Sequence, residues 1–92
     1  RGEGNHLGNL GLAYADLGDA RRAIKYYQQA LAIARQIGDR RGEGNRLANL
    51  GRAYASLGDE ERARELWQEA QRIFQEIESP HAETVRRWLA EL

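Results

Sequence analysis

The chain is 92 residues long, sets 14 Lys plus Arg against 14 Asp plus Glu, and has no Cys. That is one small domain or a piece of a larger one, which excludes a large enzyme; the zero formal charge excludes a whole-domain basic field of the kind that holds nucleic acid or an anionic membrane. Without Cys there is neither a disulfide framework nor a thiolate metal site, and two His do not make a metal site alone. No run approaches the roughly 18 apolar residues of a membrane span, and no charged-then-apolar leader opens the chain. No nucleic acid, membrane, metal or cofactor is therefore expected, and the expected location is cytoplasmic. A start at Arg1 and the absence of Met suit a fragment, natural or engineered, of a longer repeat protein.

One self-alignment organises the rest. Residues 1–40 overlay residues 41–80 with 21 of 40 positions identical, and the first nineteen positions, RGEGNHLGNLGLAYADLGD against RGEGNRLANLGRAYASLGD, differ at four. A period in this range marks a solenoid or array of repeats. Leu7, Leu10, Tyr14 and Leu17 recur at helical spacing, and Gly18-Asp19 then supplies a left-handed helix end followed by an N-cap. Ala23, Tyr27, Ala30, Ile33 and Ile37 form a second helical stripe that Gly38-Asp39 ends in the same way. The second unit repeats both helices around Gly58-Asp59. Ser79-Pro80 then offers a capping hydroxyl and a first-turn Pro to a last helix striped by Ala82, Val85, Leu89 and Leu92, with Trp88 beside them. The predicted fold is all-α, an α-solenoid of five helices: unit 1 over residues 1–40, unit 2 over 41–78, and a C-terminal capping helix over 79–92.

These residues resemble the tetratricopeptide repeat family. Leu7, Leu10, Gly11, Tyr14, Ala23, Tyr27 and Ala30 fill its helix–turn–helix pattern, and Leu47, Leu50, Gly51, Tyr54, Ala63, Trp67 and Ala70 fill it again. Arg35 and Gln75 stand where the family's terminal Pro would fall, and the period is 40 instead of the commoner 34. Both features are similar to the forty-residue subtype of kinesin light chains, Pins-type adaptors and bacterial multi-repeat proteins.

The resemblance implies a non-enzymatic protein-interaction module that binds peptides on a concave side lined by the first helix of each unit. Along those helices Asn5, Gly8, Asn9, Leu12 and Asp16 share one stripe, and Asn45, Ala48, Asn49, Arg52 and Ser56 share the matching one. Asn is a mediocre helix former, so a repeated Asn pair four residues apart asks for a reason. An amide that both donates and accepts suits the main chain of an extended peptide, although it can equally bond across helices within the scaffold. The candidate peptide-binding residues are therefore Asn5, Asn9, Asn45 and Asn49, with Arg46 and Arg52 as charge-assisted donors to acidic groups, and with Gly8 and Ala48 expected to leave room for a backbone. The family's carboxylate clamp also uses Lys in the groove, and the one Lys here, Lys25, falls on a second helix; a chaperone-type C-terminal peptide is not favoured.

Other features point to structure. Gly2-Glu3-Gly4 and Gly42-Glu43-Gly44 follow no strand and precede no Lys-Ser/Thr, so a phosphate loop is excluded; close packing between units is expected instead. His6 and His81 have no nucleophile arranged with them, Tyr14, Tyr27, Tyr54 and Trp67 hold equivalent core positions, and Tyr26 is assigned no site. Trp88 either covers the end of the core or anchors a partner. Ile24, Leu31 and Ala32, expected to bury against the next unit, become Arg64, Gln71 and Arg72, as suits an array that closes at the last helix. The first helix has no such cover. The alternative function is accordingly a self-assembling repeat, natural or engineered, that forms a homo-oligomer, in one version domain-swapped, through that uncapped helix.

Overall fold

The computed structural model describes residues 2–92, so Arg1 lies outside it. The described residues form helices α1 (Gly2–Asp16), α2 (Ala20–Ile37), α3 (Arg40–Ser56), α4 (Glu60–Glu76) and α5 (His81–Glu91), with no strand among them. The expected all-α fold of two hairpins and a last helix is what forms.

The first four helices end by one device, repeated every twenty residues. Gly18, Gly38 and Gly58 take φ of 82°, 72° and 82°, the left-handed region that a Cβ disfavours. The next residue then folds back: Asp19, Asp39, Asp59 and Ser79 N–H donate to the carbonyls of Tyr14, Ala34, Tyr54 and Phe74 at 2.8, 2.9, 2.9 and 2.8 Å. The same residue starts the following helix. Asp19, Asp39 and Asp59 carboxylates accept from the N–H of Arg22, Gly42 and Arg62, and Ser79 Oγ accepts from His81 N–H at 3.2 Å. Pro80 is already helical at φ −65°, ψ −15°, the first-turn place its ring suits. The fourth turn has no Gly: Glu78 itself adopts φ 56°.

Consecutive helices pack on one another, α1 on α2, α2 on α3, α3 on α4 and α4 on α5. The odd-numbered helices share one side, where α3 borders cavities with both α1 and α5; α2 and α4 flank a groove on the other side, with α3 residues in its floor. Within each hairpin a glycine sets the approach. A Cβ at Gly11 would lie 2.7 Å from the Tyr27 ring, and the Trp67 ring fills the same place beside Gly51. Trp67 Nε1 donates to the Ala48 carbonyl at 3.0 Å, which gives the buried indole its partner.

The glycines of the Gly-Glu-Gly motifs correct one expectation. A Cβ at Gly44 would lie 2.7 Å from the Phe74 ring and one at Gly4 3.3 Å from Ile33, while Gly42 lies against its own cap, Asp39. They bring together the two helices of a hairpin, not adjacent units. Contact between units comes from a buried cluster in which Ile24 and Leu31 of α2 join Leu47, Leu50 and Ala53 of α3. Ala32 corrects a second expectation, since it is exposed beside the buried pair. Over this seam lies an ion network. Glu43, 8% exposed, accepts from Arg35 Nε at 3.1 Å and Arg40 at 2.9 Å; Arg35 also donates to Glu69 at 3.0 Å and Arg40 to Glu76.

The last helix packs on the end of the second hairpin. Val85 is buried, and Ala82, Trp88, Leu89 and Leu92 pack on the core, with the Trp88 and Trp67 rings 5.4 Å apart and His81 edge-on to Phe74 at 5.4 Å. Its polar face carries Arg86, bonded to Glu83, whose carboxyl this holds below the usual range.

Candidate functional site

The odd-helix side takes its character from what α3 shows between its neighbours. Buried Leu47, Leu50, Gly51 and Ala53 fix the rotation of α3, which turns Asn45, Arg46, Asn49 and Arg52 towards the sides shared with α1 and α5. Asn49 lines two cavities. One, about 250 Å³, is bordered by Leu12 and Asp16 of α1, Tyr27 of α2 and Arg52 of α3; the other, about 260 Å³, by Asn45 and Arg46 of α3, Phe74 of α4, and His81, Thr84 and Trp88 of α5. A third, about 350 Å³, is bordered by Arg52, Ala55, Trp67, Trp88, Glu91 and Leu92.

The two arginines are held differently. Arg46, half-buried, reaches across to α1 and lays its guanidinium on Gly8, where a Cβ would lie 2.6 Å from the guanidinium carbon. The room expected at Gly8 for a peptide backbone is therefore filled by Arg46, and Ala48 is buried, its carbonyl bonded to Trp67. Small residues at these two positions serve helix packing. Arg52 is exposed and stacks over Trp88 with 5.5 Å to the ring centroid. A guanidinium stacked by its face keeps its N–H edges free in the plane.

Of the four predicted amides, Asn45 and Asn49 are half-buried at the cavities, whereas Asn5 and Asn9 are exposed on α1. Asn5 reaches only a smaller recess of about 120 Å³ shared with Arg46, and Asn9 lines none of these cavities. The structure thus brings Asn45, Arg46, Asn49 and Arg52 together and leaves Asn9 apart. It also adds His81, Thr84 and Glu91 of α5 beside Trp88, the one α5 residue that the sequence offered as a partner anchor. The four share one helical stripe, and that spacing was the available signal for the other three.

Charge on this side is mixed. Burial raises the Tyr27 phenol pKa above its ordinary value, Arg52 and Arg46 pull it back down, and Asp16 adds to the rise. The two guanidiniums and the Asp16 carboxylate therefore share the field around the α1–α3 cavity. Among the described residues no three His, Cys, Asp or Glu side chains gather as a metal site, and no helix is long and apolar enough to cross a membrane. The arrangement thus combines donors, acceptors and apolar recesses, the chemistry by which a ligand can be engaged through shape and hydrogen bonding.

No curated protein matches the chain. A family model described as the tetratricopeptide repeat matches residues 3–89, across both hairpins and into α5. Members of that family generally mediate protein–protein interaction and are typically non-enzymatic scaffolds. With five helices stacked in sequence, two glycine-spaced hairpins and this match over nearly its whole length, the chain belongs to the tetratricopeptide repeat family.

Proposed function

We propose that the chain is a non-enzymatic interaction module that binds an extended peptide segment along the side formed by α1, α3 and α5, the side that resemblance to the family makes concave. The observation that carries this is the position of Asn49. Its half-buried amide stands between two cavities and is flanked by Asn45 and by two restrained guanidiniums. Each Asn amide meets a peptide carbonyl and N–H together, so main chain is held irrespective of sequence. Arg52 gives direction: its free N–H edges take a carboxylate, and the apolar recess between Trp67, Trp88 and Leu92 takes an apolar side chain. Asn5 and Asn9 extend the contact along α1 for a longer peptide. The forty-residue period supports placing the chain near the kinesin light chain and Pins-type subtype.

The test is selection from a displayed library of random peptides, followed by affinity measurement on Asn49→Ala and Asn45→Ala chains. Loss of a hydrogen bond or two at this site corresponds to roughly tenfold weaker binding, with helicity unchanged. Equal affinity for the parent chain and the double variant contradicts the proposal.

A further inference from the structure

The two hairpins differ around one tyrosine. In the first, Tyr26 stacks on Tyr14 with ring centroids 5.5 Å apart and planes 3° from parallel. The Arg22 guanidinium lies 5.6 Å over Tyr14, and the Lys25 ammonium 5.9 Å over Tyr26. In the second, Arg62 lies over Tyr54 at 5.5 Å in the same way, but Glu65 and Leu66 hold the positions of Lys25 and Tyr26. No aromatic ring among the described residues stacks on Tyr54. The cation recurs and the second ring does not. Leu66 is shorter than a phenol, and with Tyr54, also half-buried, it lines a cavity of about 530 Å³ in the groove between α2 and α4, over Leu31, Leu47 and Leu50. Charge along this groove is paired except at one residue. Arg35 of α2 reaches across to Glu69 of α4 at 3.0 Å, and Arg62 pairs with Asp59 at 3.6 Å. Glu65, exposed in the same cavity wall, has no ion pair among the described residues.

We infer that the α2–α4 groove is a second interaction surface, separate from the α1–α3–α5 side, and that it takes a partner-protein segment carrying an aromatic side chain next to a Lys or Arg. The ring lies on Tyr54 as Tyr26 lies on Tyr14, and the base meets Glu65. Ring-on-ring stacking favours an aromatic over an aliphatic side chain in that place. A second copy of the chain does not supply the segment. An aromatic residue adjoins Lys or Arg in this sequence only at Lys25-Tyr26 and Arg87-Trp88, and both rings are already engaged, on Tyr14 and beside Trp67.

The test is a two-dimensional NMR titration of the full chain with the capped dipeptide N-acetyl-Lys-Tyr-amide, against N-acetyl-Lys-Leu-amide and N-acetyl-Glu-Tyr-amide as controls. The first is expected to give saturable shifts at the Tyr54 ring and the Leu66 methyls. Binding of the Lys-Leu control is roughly threefold to tenfold weaker, for want of the stacked ring, and that of the Glu-Tyr control severalfold weaker, for want of the ion pair. Leu66→Tyr supplies the ring from within, as Tyr26 does, and removes binding of the Lys-Tyr probe with circular dichroism unchanged. Glu65→Lys reverses the preference between the Lys-Tyr and Glu-Tyr probes. Asn49→Ala leaves these results unaltered, which separates the groove from the peptide site. Equal binding of the three probes, no saturable shift at Tyr54 and Leu66, undiminished binding by the Leu66→Tyr chain, or an unchanged preference in Glu65→Lys each overturns the inference.

Discussion

The guanidinium of Arg52 lies over the indole of Trp88, 5.5 Å from the ring centroid, and the Trp88 ring is in turn tilted at 44° to that of Trp67, 5.4 Å away. One aromatic from the last helix thus closes the core of the second hairpin and holds a basic group at the mouth of two cavities. Stability and recognition are coupled through it. Trp88→Ala is expected to cost about 2–3 kcal/mol in chemical denaturation, below the full value for a buried aromatic because Trp88 is half-buried. It also weakens selected acidic peptides. Trp88→Phe recovers most of the stability and part of the binding, since a smaller ring still stacks.

The Gly11–Tyr27 contact predicts a substitution that helix propensity alone would get wrong. In an isolated helix Gly→Ala stabilises by about 1 kcal/mol. Here the new Cβ would lie 2.7 Å from the Tyr27 ring, so overpacking of about 1–3 kcal/mol outweighs that gain and Gly11→Ala lowers the melting temperature. Adding Tyr27→Leu returns part of the loss. A melting temperature raised by Gly11→Ala would show that the helices separate at no cost.

These two sites mark how far the sequence could be read. Helix number, order and turns were legible because Gly or Asp at a fixed twenty-residue interval is a local signal, and so was the aromatic-on-glycine core. Contacts made by long side chains were not. Periodicity places Arg46 on a face but does not say that it crosses to α1 and fills the space over Gly8; it places Glu43 in a Gly-Glu-Gly motif but does not say that arginines from two turns converge on it. The part of α5 in the candidate site was obscured because α5 follows the repeat only loosely, so comparing units said nothing of His81, Thr84 or Trp88.

The ion network over the seam between units centres on Glu43, whose carboxylate is nearly buried while Arg35 and Arg40 remain about half exposed. Glu43→Gln keeps one acceptor oxygen but removes the charge and sets an amide NH2 against the other guanidinium, and a cost of about 1–3 kcal/mol is expected. A double-mutant cycle with Arg35→Ala should give a coupling of about 0.5 kcal/mol or more, the mark of a shared partner. Strict additivity would mean that the network is solvated and energetically idle.

Among the described residues Glu78 is the one non-glycine residue with positive φ, and it occupies the place that Gly18, Gly38 and Gly58 hold in the other turns. A side chain there costs about 1–2 kcal/mol in the left-handed region, partly offset by the greater freedom Gly gives the unfolded chain. Glu78→Gly is therefore expected to stabilise the chain by about 1 kcal/mol, read as a rise in the denaturation midpoint with an unchanged slope. A fall in the midpoint would contradict this account of the turn.

Tyr27 gives a pH dependence of defined sign. Burial raises its phenol pKa above 10.0, so the native state holds this proton at a pH where the unfolded chain has released it. Its contribution is complete below about pH 10 and is lost as pH rises through the native value. Alkaline melting curves of Tyr27→Phe should therefore fall less steeply with pH than those of the parent chain. Parallel curves would mean that the phenol is not desolvated on folding.

The central claim, that the α1–α3–α5 side is the peptide site, is tested most directly by two-dimensional NMR of the chain with a library-selected peptide. The account predicts that the side-chain amides of Asn45 and Asn49, the Arg52 Nε–H and the Trp88 indole shift together as peptide is added. Shifts confined instead to the opposite groove, around Leu31, Tyr54 and Leu66, or to the outer face of α1, would contradict it.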